Sequence, residues 1–236
     1  MFWTEESIAL LRDAAAINRY YETIAERIAP QLPENAHICD AGCGIGELSL
    51  ALKPYCHHVT AVDSDELAIK TLEAHLIKGV TAICGDVEAL TPKEPYDAMV
   101  FCLFGRTEDA LRIAKKQCRG RIFLVKRDYS HHRFSAGQVS LGEYTAGSTE
   151  NVLREKGIPY TVEHFTAEFG QPFRSLEAAE RFFDLYNRSE SEVLSKDEIR
   201  ARLTAGPSEK FPYYLPHEKA LCLFTVETAD IPEEAI

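Results

Sequence analysis

The apolar positions of the chain change period twice. From Glu5 to Ile28 they recur at helical spacing, and Pro30 and Pro33 close the segment, which predicts an N-terminal helix. Short apolar, β-branched runs then take over at His37–Ala41, His58–Val62, Thr81–Cys84, Ala98–Phe104 and Arg121–Val125. Helical stretches fit between them at Glu47–Leu52, Asp65–Lys78 and Thr107–Gln117, with a shorter one near Val87–Leu90. A helix at Tyr144–Lys156 ends at Gly157, and Tyr160–Phe165 and Lys219–Val226 read as closing strands. Such alternation predicts an α/β fold of three layers, a mainly parallel sheet with helices on both faces.

The second change of rhythm falls between Phe169 and His217. Leu176–Tyr186 and Lys196–Leu203 read as helices, and "FPYYLPH" follows them. The composition does not shift there, so the segment reads as a cap on one core. The expected organisation is a single domain: an N-terminal helical segment at 1–30, a core at 31–170 and 218–228, and a cap insertion at 171–217.

Composition narrows the class. An apolar fraction of 45% and a charged fraction of 27% are those of a globular protein. No apolar run approaches the roughly 18 residues of a membrane span, and the acidic, amphipathic start "MFWTEESIALLRD" does not read as a secretory signal. Seven cysteines without a CxxC pair suggest reduced thiols and a cytoplasmic setting. A net charge of −11 argues against sequence-independent nucleic-acid binding, which needs a basic surface. The basic runs "KKQCRGR" and "KRDYSHHR" read as solvated faces at strand edges, with phosphate binding as the alternative.

In an open parallel sheet, ligands bind beyond the carboxyl ends of the strands. The first three predicted strands end at Asp40, Asp63 and Asp86, spaced 23 residues apart, about one strand–helix repeat each. Glycine at 42, 44 and 46 lets backbone approach a ligand and permits positive φ. An acid after the second strand suits a ribose diol, and one after the third suits an exocyclic amine such as that of adenine. Together they describe an adenosine site. A dinucleotide fingerprint would carry a third glycine where Glu47 stands, and that carboxylate would oppose a pyrophosphate.

"DAGCGIG" (Asp40–Gly46), "AVDSD" (Ala61–Asp65), "CGDVEAL" (Cys84–Leu90) and "YDAMVFCLF" (Tyr96–Phe104) resemble, in order and spacing, four motifs of the class I S-adenosylmethionine (SAM)-dependent methyltransferases. The resemblance covers about Pro30 to Asp128. It implies a Rossmann-like fold with a seven-stranded, mainly parallel sheet, the last strand antiparallel, plus N-terminal helices and a helical cap. It also implies SAM as cofactor and S-adenosylhomocysteine as product. Asp40, Gly42, Cys43, Gly44 and Gly46 would cradle the methionine end, Asp63 and Ser64 the ribose, and Asp86 with the Val87 backbone the adenine. Cys102 would lie beside the methyl donor, and Tyr21 could close over the methionine or simply pack on the sheet edge. Metal-dependent catechol-type members carry a ligating aspartate where Cys102 stands, so no catalytic metal is expected. There is no Asn-Pro-Pro-Tyr after the fourth strand, which counts against methylation of a base amine.

Other residues carry two readings. Cys56, His57 and His58 are adjacent rather than spaced as zinc ligands. Cys39 and Cys43 read as buried inert thiols before redox groups. His131, His132 and His217 are candidates for a general base, against the plainer reading of loop histidines. The expected acceptor pocket is walled by the N-terminal helix, the loop after the fifth strand (Asp128–Phe134) and "FPYYLPH". The expected function is methyl transfer to a small organic acceptor, by a monomer or homodimer that touches no membrane. The alternatives are a SAM-binding sensor or accessory protein without activity, a protein or RNA methyltransferase, and aminopropyl transfer. For the last, an acidic polyamine site would be needed where "CLFG" is apolar.

Overall fold

The computed structural model describes residues 3–233. Helices α1 (Glu5–Ala15) and α2 (Tyr20–Ile28) lead into an alternating core: β1 (His37–Ala41), α3 (Glu47–Leu52), β2 (His58–Asp63), α4 (Glu66–Glu73), β3 (Val80–Cys84), β4 (Tyr96–Cys102), α5 (Thr107–Gln117), β5 (Cys118–Arg127) and α6 (Ala146–Glu155). After β6 (Thr161–Glu168) come β7 (Gln171–Phe173), α7 (Leu176–Tyr186), α8 (Lys196–Ala201), β8 (Thr204–Ser208) and β9 (Phe211–Leu215), and then β10 (Glu218–Glu227).

The main sheet has seven strands in the order β3-β2-β1-β4-β5-β10-β6. Six run parallel, and β10 enters antiparallel between β5 and β6. Strand order reverses between β1 and β4, which opens a crevice at their carboxyl ends. Alternation along each strand splits the core. Cys39, Met99, Phe101 and Leu124 face α5 and α6, while Ile38, Val100, Phe123 and Val125 face α2 and α3. This period-two pattern fixes which side chains reach the crevice.

Two expectations change. The N-terminal helix is two helices, because Asn18 breaks it: its side-chain amide donates to Ala14 O and Gly170 O, each at 2.8 Å. That bond ties α1 to the start of the cap. The cap is not purely helical either, since β7, β9 and β8 form an antiparallel sheet under α7 and α8. "FPYYLPH" supplies its central strand, β9, whose Phe211 and Leu215 are buried. Alternating aromatics with prolines at exposed positions suit a short strand in a small sheet. A third cluster, built on Phe173, Phe182, Phe183 and Leu215, is the cap's own core.

Candidate functional site

β1 must turn sharply to enter α3, and glycine does it. Gly42, Gly44 and Gly46 have φ of +70°, +55° and +85°, a region that costs a residue with a Cβ about 1–2 kcal/mol. The Gly42 and Cys43 N–H groups both donate to Val62 O, at 2.8 and 3.0 Å. Gly44 N–H donates to Asp63 Oδ2 at 2.8 Å, and Asp65 N–H to Asp63 Oδ1 at 3.0 Å. Asp63 thus ties the glycine turn to the end of β2. Asp40 is buried below the turn and accepts the Ser49 hydroxyl at 2.5 Å. Burial, with Asp63 nearby, raises its pKa to about 6 despite that bond.

Three hollows open along this edge. The main cleft, about 440 Å³, runs from Asp40, Gly42, Cys43, Gly44, Glu47 and Asp63 past Cys102 to Arg127 and Lys219. A smaller hollow of about 240 Å³ is lined by Val62, Asp63, Ser64, Gly85, Asp86 and Val87. Gly42, Asp63, Ser64 and Phe104 line both. The third, about 890 Å³, is more open and holds His131, His132 and His217 with Arg133 and Arg202. Phe134 stands between it and the main cleft, lining each.

Every expected cofactor position therefore lies on one edge. Asp40, Gly42, Cys43, Gly44, Asp63, Ser64, Cys102 and Tyr21 line the main cleft, Asp86 and Val87 the smaller hollow, and Gly46 starts α3. Asp86 also caps the turn after β3, accepting Glu88 N–H at 2.9 Å. The three histidines are not brought to this cleft. His131 and His132 bond Ser130 and Ser135 of their own loop, and His217 packs its ring on Phe134 at 4.7 Å. Of the three walls expected for the acceptor pocket, α1–α2 and the loop after β5 line the main cleft, through Leu11, Tyr20, Tyr21 and Phe134. "FPYYLPH" instead lines the histidine cavity.

Sequence reading missed the cations. "KRDYSHHR" is solvated only in part: Asp128, Ser130, His131 and Arg133 are exposed, but Lys126 is buried, donates to Gly105 O at 2.9 Å, and burial brings its pKa down to about 8. Arg127 and Lys219 line the cleft. The available signal was charge placed at the ligand-facing ends of two apolar strands. Asp128, His164 and Cys222 bring potential metal donors within 4.8 Å of one another, outside the cleft.

The site fits SAM. Its turn admits only glycine, for a Cβ on Gly42 would overlap the Phe104 ring and one on Gly44 would press on the Trp3 ring, and both rings line the cleft. Two connected hollows match a two-part ligand, and three carboxylates at the turn favour a cation over a phosphate. Gly42→Ala, which adds a Cβ at positive φ, is expected to cost about 1–2 kcal/mol and lower Tm by about 2–8 °C. Calorimetric scanning checks it, and an unchanged Tm would mean that the turn yields freely.

Residues 38–122 match the family model of a methyltransferase domain. No curated protein matches the sequence. Among solved structures, YcgJ of Bacillus subtilis aligns at 14% identity and a TM-score of 0.54, covering 87% of this chain and 97% of that one. Protein BH2331 of Bacillus halodurans C-125, a methyltransferase candidate, aligns at 14% and 0.55, covering 88% and 98%. The N-methyltransferase NodS of Bradyrhizobium japonicum WM9 aligns at 14% and 0.50, covering 87% and 93%. At such identities these likenesses speak for the fold. Residues 38–122 are thus similar to a methyltransferase domain, and the strand order around them is that of the Rossmann-like fold of these neighbours, with no subfamily singled out.

Proposed function

We propose that this chain transfers a methyl group from SAM to a small organic acceptor held between the glycine turn and the cap. The observation that carries the reading is the main cleft itself. It continues from the turn into a space walled by Tyr20, Tyr21, Phe134, Phe169, Phe182 and Tyr186, with Arg127, Lys219 and Gln171 as the polar groups among them. Small-ligand sites have this character. A nucleic acid would also meet the repulsive field of a chain with net charge −11.

When bound, SAM supplies an electrophilic methyl on a positively charged sulfur. Asp63 would accept from the ribose hydroxyls with the lone pairs its backbone bonds leave free, while Asp86 and the Val87 backbone would hold the adenine. Asp40 and Glu47 would give the methionine end an acidic environment. Cys102, at the end of β4, lines the cleft and would stand beside the methyl donor; burial pushes its thiol up to about 12, so it stays protonated. The chain's contribution to the transfer is proximity, alignment and exclusion of water. His131, His132 and His217, lying beyond Phe134, take no part in it.

Isothermal titration with S-adenosylhomocysteine and with NAD tests the cofactor reading, with binding expected for the first alone. Incubation with methyl-labelled SAM and a cell extract, followed by size fractionation, tests the acceptor. Label should enter the small-molecule fraction. Label in protein or RNA would overturn the small-acceptor reading, and no transfer to any fraction would favour a SAM-binding accessory protein. No helix among the described residues is long and apolar enough to cross a membrane.

A further inference from the structure

The main cleft is polarised. Asp40, Glu47 and Asp63 stand at its turn end, and Arg127 and Lys219 at its far end, with Cys102 between. The two cations come from neighbouring strands. Arg127 pairs with Leu221 in the β5–β10 ladder, so Lys219, two residues before Leu221, lies on the same face. That face carries α2, and the Lys219 ammonium lies 4.7 Å from the Tyr20 ring centre and 4.5 Å from that of Phe169. Arg127 shares a hydrogen bond with the Tyr129 side chain. Among the described residues neither cation belongs to an ion pair.

Two neighbouring cations in a largely enclosed, aromatic setting are costly without an anion. Lys219 records the cost: burial first, and Arg127 next, bring its pKa down to about 7. Beside them stands an independent orphan. Tyr20 is 1% exposed and lines the cleft, and its hydroxyl has no hydrogen-bond partner. Burial, then Cys102, holds that hydroxyl well above the usual phenol range, so it remains a donor. Two cations and an unused O–H donor ask for one kind of partner, an oxygen acceptor carrying negative charge.

We infer that the far end of the cleft is an oxyanion site, in which Lys219, Arg127 and the Tyr20 hydroxyl receive a carboxylate borne by the acceptor on a small aromatic or apolar body. The division of charge gives each ligand its own end. The cationic sulfonium belongs with the carboxylates at the turn, and the anionic acceptor with the cations. Phe134, Phe169 and Phe182 surround the body that carries the group. The inference rests on the methyltransferase reading above but concerns only the acceptor's chemistry.

The probe is benzoate, with benzyl alcohol and benzylamine of similar shape as the uncharged and cationic comparisons. Each is titrated by ligand-observed NMR into protein saturated with S-adenosylhomocysteine. Benzoate is expected to bind at least tenfold tighter than either comparison. Lys219→Met should weaken benzoate at least tenfold, and Lys219→Arg should keep most of the affinity. S-adenosylhomocysteine affinity should stay within about twofold in both variants, which also shows that they fold. Equal binding of all three probes, failure of benzoate to bind, or full benzoate affinity in Lys219→Met would each overturn the oxyanion site. Loss of S-adenosylhomocysteine binding by the unmodified protein would instead strike the cofactor reading, so the two failures are distinct.

Discussion

Replacing His217 with phenylalanine is expected to stabilise the protein, and more so in acid. His217 is 6% exposed, and neither ring nitrogen has a hydrogen-bond partner. Its backbone is fully used: its N–H donates to Glu168 Oε1 at 3.0 Å, and its carbonyl accepts from Phe169. Only the imidazole is uncompensated, and an unsatisfied buried polar group costs about 1–3 kcal/mol. Phenylalanine keeps the edge-on ring contact with Phe134 and removes that cost. Burial, with Lys219 and Arg133 nearby, lowers the His217 pKa to about 3. The unfolded chain therefore takes up a proton below its ordinary value of about 6.5, while the folded one does not. Stability is whole above that value and falls as pH drops toward 3. At about 1.4 kcal/mol per unit, the loss reaches about 2 kcal/mol by pH 5. Asp40 acts in the opposite sense. Its folded pKa of about 6 lies above the ordinary carboxyl value, so the folded state is favoured as pH falls from 6 toward 4. The wild-type profile blends the two, and the difference between His217→Phe and wild type isolates the histidine. Urea melts at pH 7.5 and pH 5 should show that difference growing by about 2 kcal/mol. A difference that does not change with pH would mean that His217 is protonated, or hydrated, in the folded state.

His217 also shows where sequence reading stops. As the histidine opening the last strand it was a natural candidate base, and nothing local says that Phe134 walls it off from the cleft. The core was legible because its signals are local. Period-two apolar runs became β1 to β6 and β10, and Glu47–Leu52, Thr107–Gln117 and Leu176–Tyr186 form helices with the expected bounds. The three aspartates and three glycines were legible too, since strand ends in a parallel sheet share one edge by construction. The break at Asn18 was hidden because its cause, the Gly170 carbonyl, lies 152 residues away. β8 and β9 were hidden because Thr204–Ser208 alternates no apolar residues and owes its pairing to β9. Arg127 was read as a charge at a strand edge, and Lys219 only as the first residue of the last strand. Their meaning depends on β10 entering between β5 and β6, which no stretch of sequence states.

Asp63→Ala should cost the cofactor site more than any other single change described here. The carboxylate has two tasks with separate lone pairs. Towards the protein, it accepts Gly44 N–H and Asp65 N–H and so fixes the glycine turn. Towards the ligand, it faces both the main cleft and the smaller hollow, where the proposed reading puts the ribose diol. Hydrogen bonds to a charged acceptor contribute about 1.5–3 kcal/mol each, and they do not add fully. A loss of about 2–4 kcal/mol in S-adenosylhomocysteine affinity is expected, roughly thirtyfold to nearly a thousandfold. Loosening of the turn alone would also weaken binding, so the affinity of one ligand does not separate the two tasks. A second ligand does. The 2′-deoxy analogue of S-adenosylhomocysteine lacks one of the hydroxyls that Asp63 would hold. If Asp63 binds the ribose, removing that hydroxyl should cost the wild-type protein at least tenfold and the Asp63→Ala variant almost nothing. If the carboxylate serves only the turn, the analogue will be penalised equally in both proteins. Titration calorimetry on the four pairings gives the coupling directly, with circular dichroism to establish that the variant is folded. A coupling of zero would leave Asp63 as a brace for the turn and move the ribose partner elsewhere in the hollow.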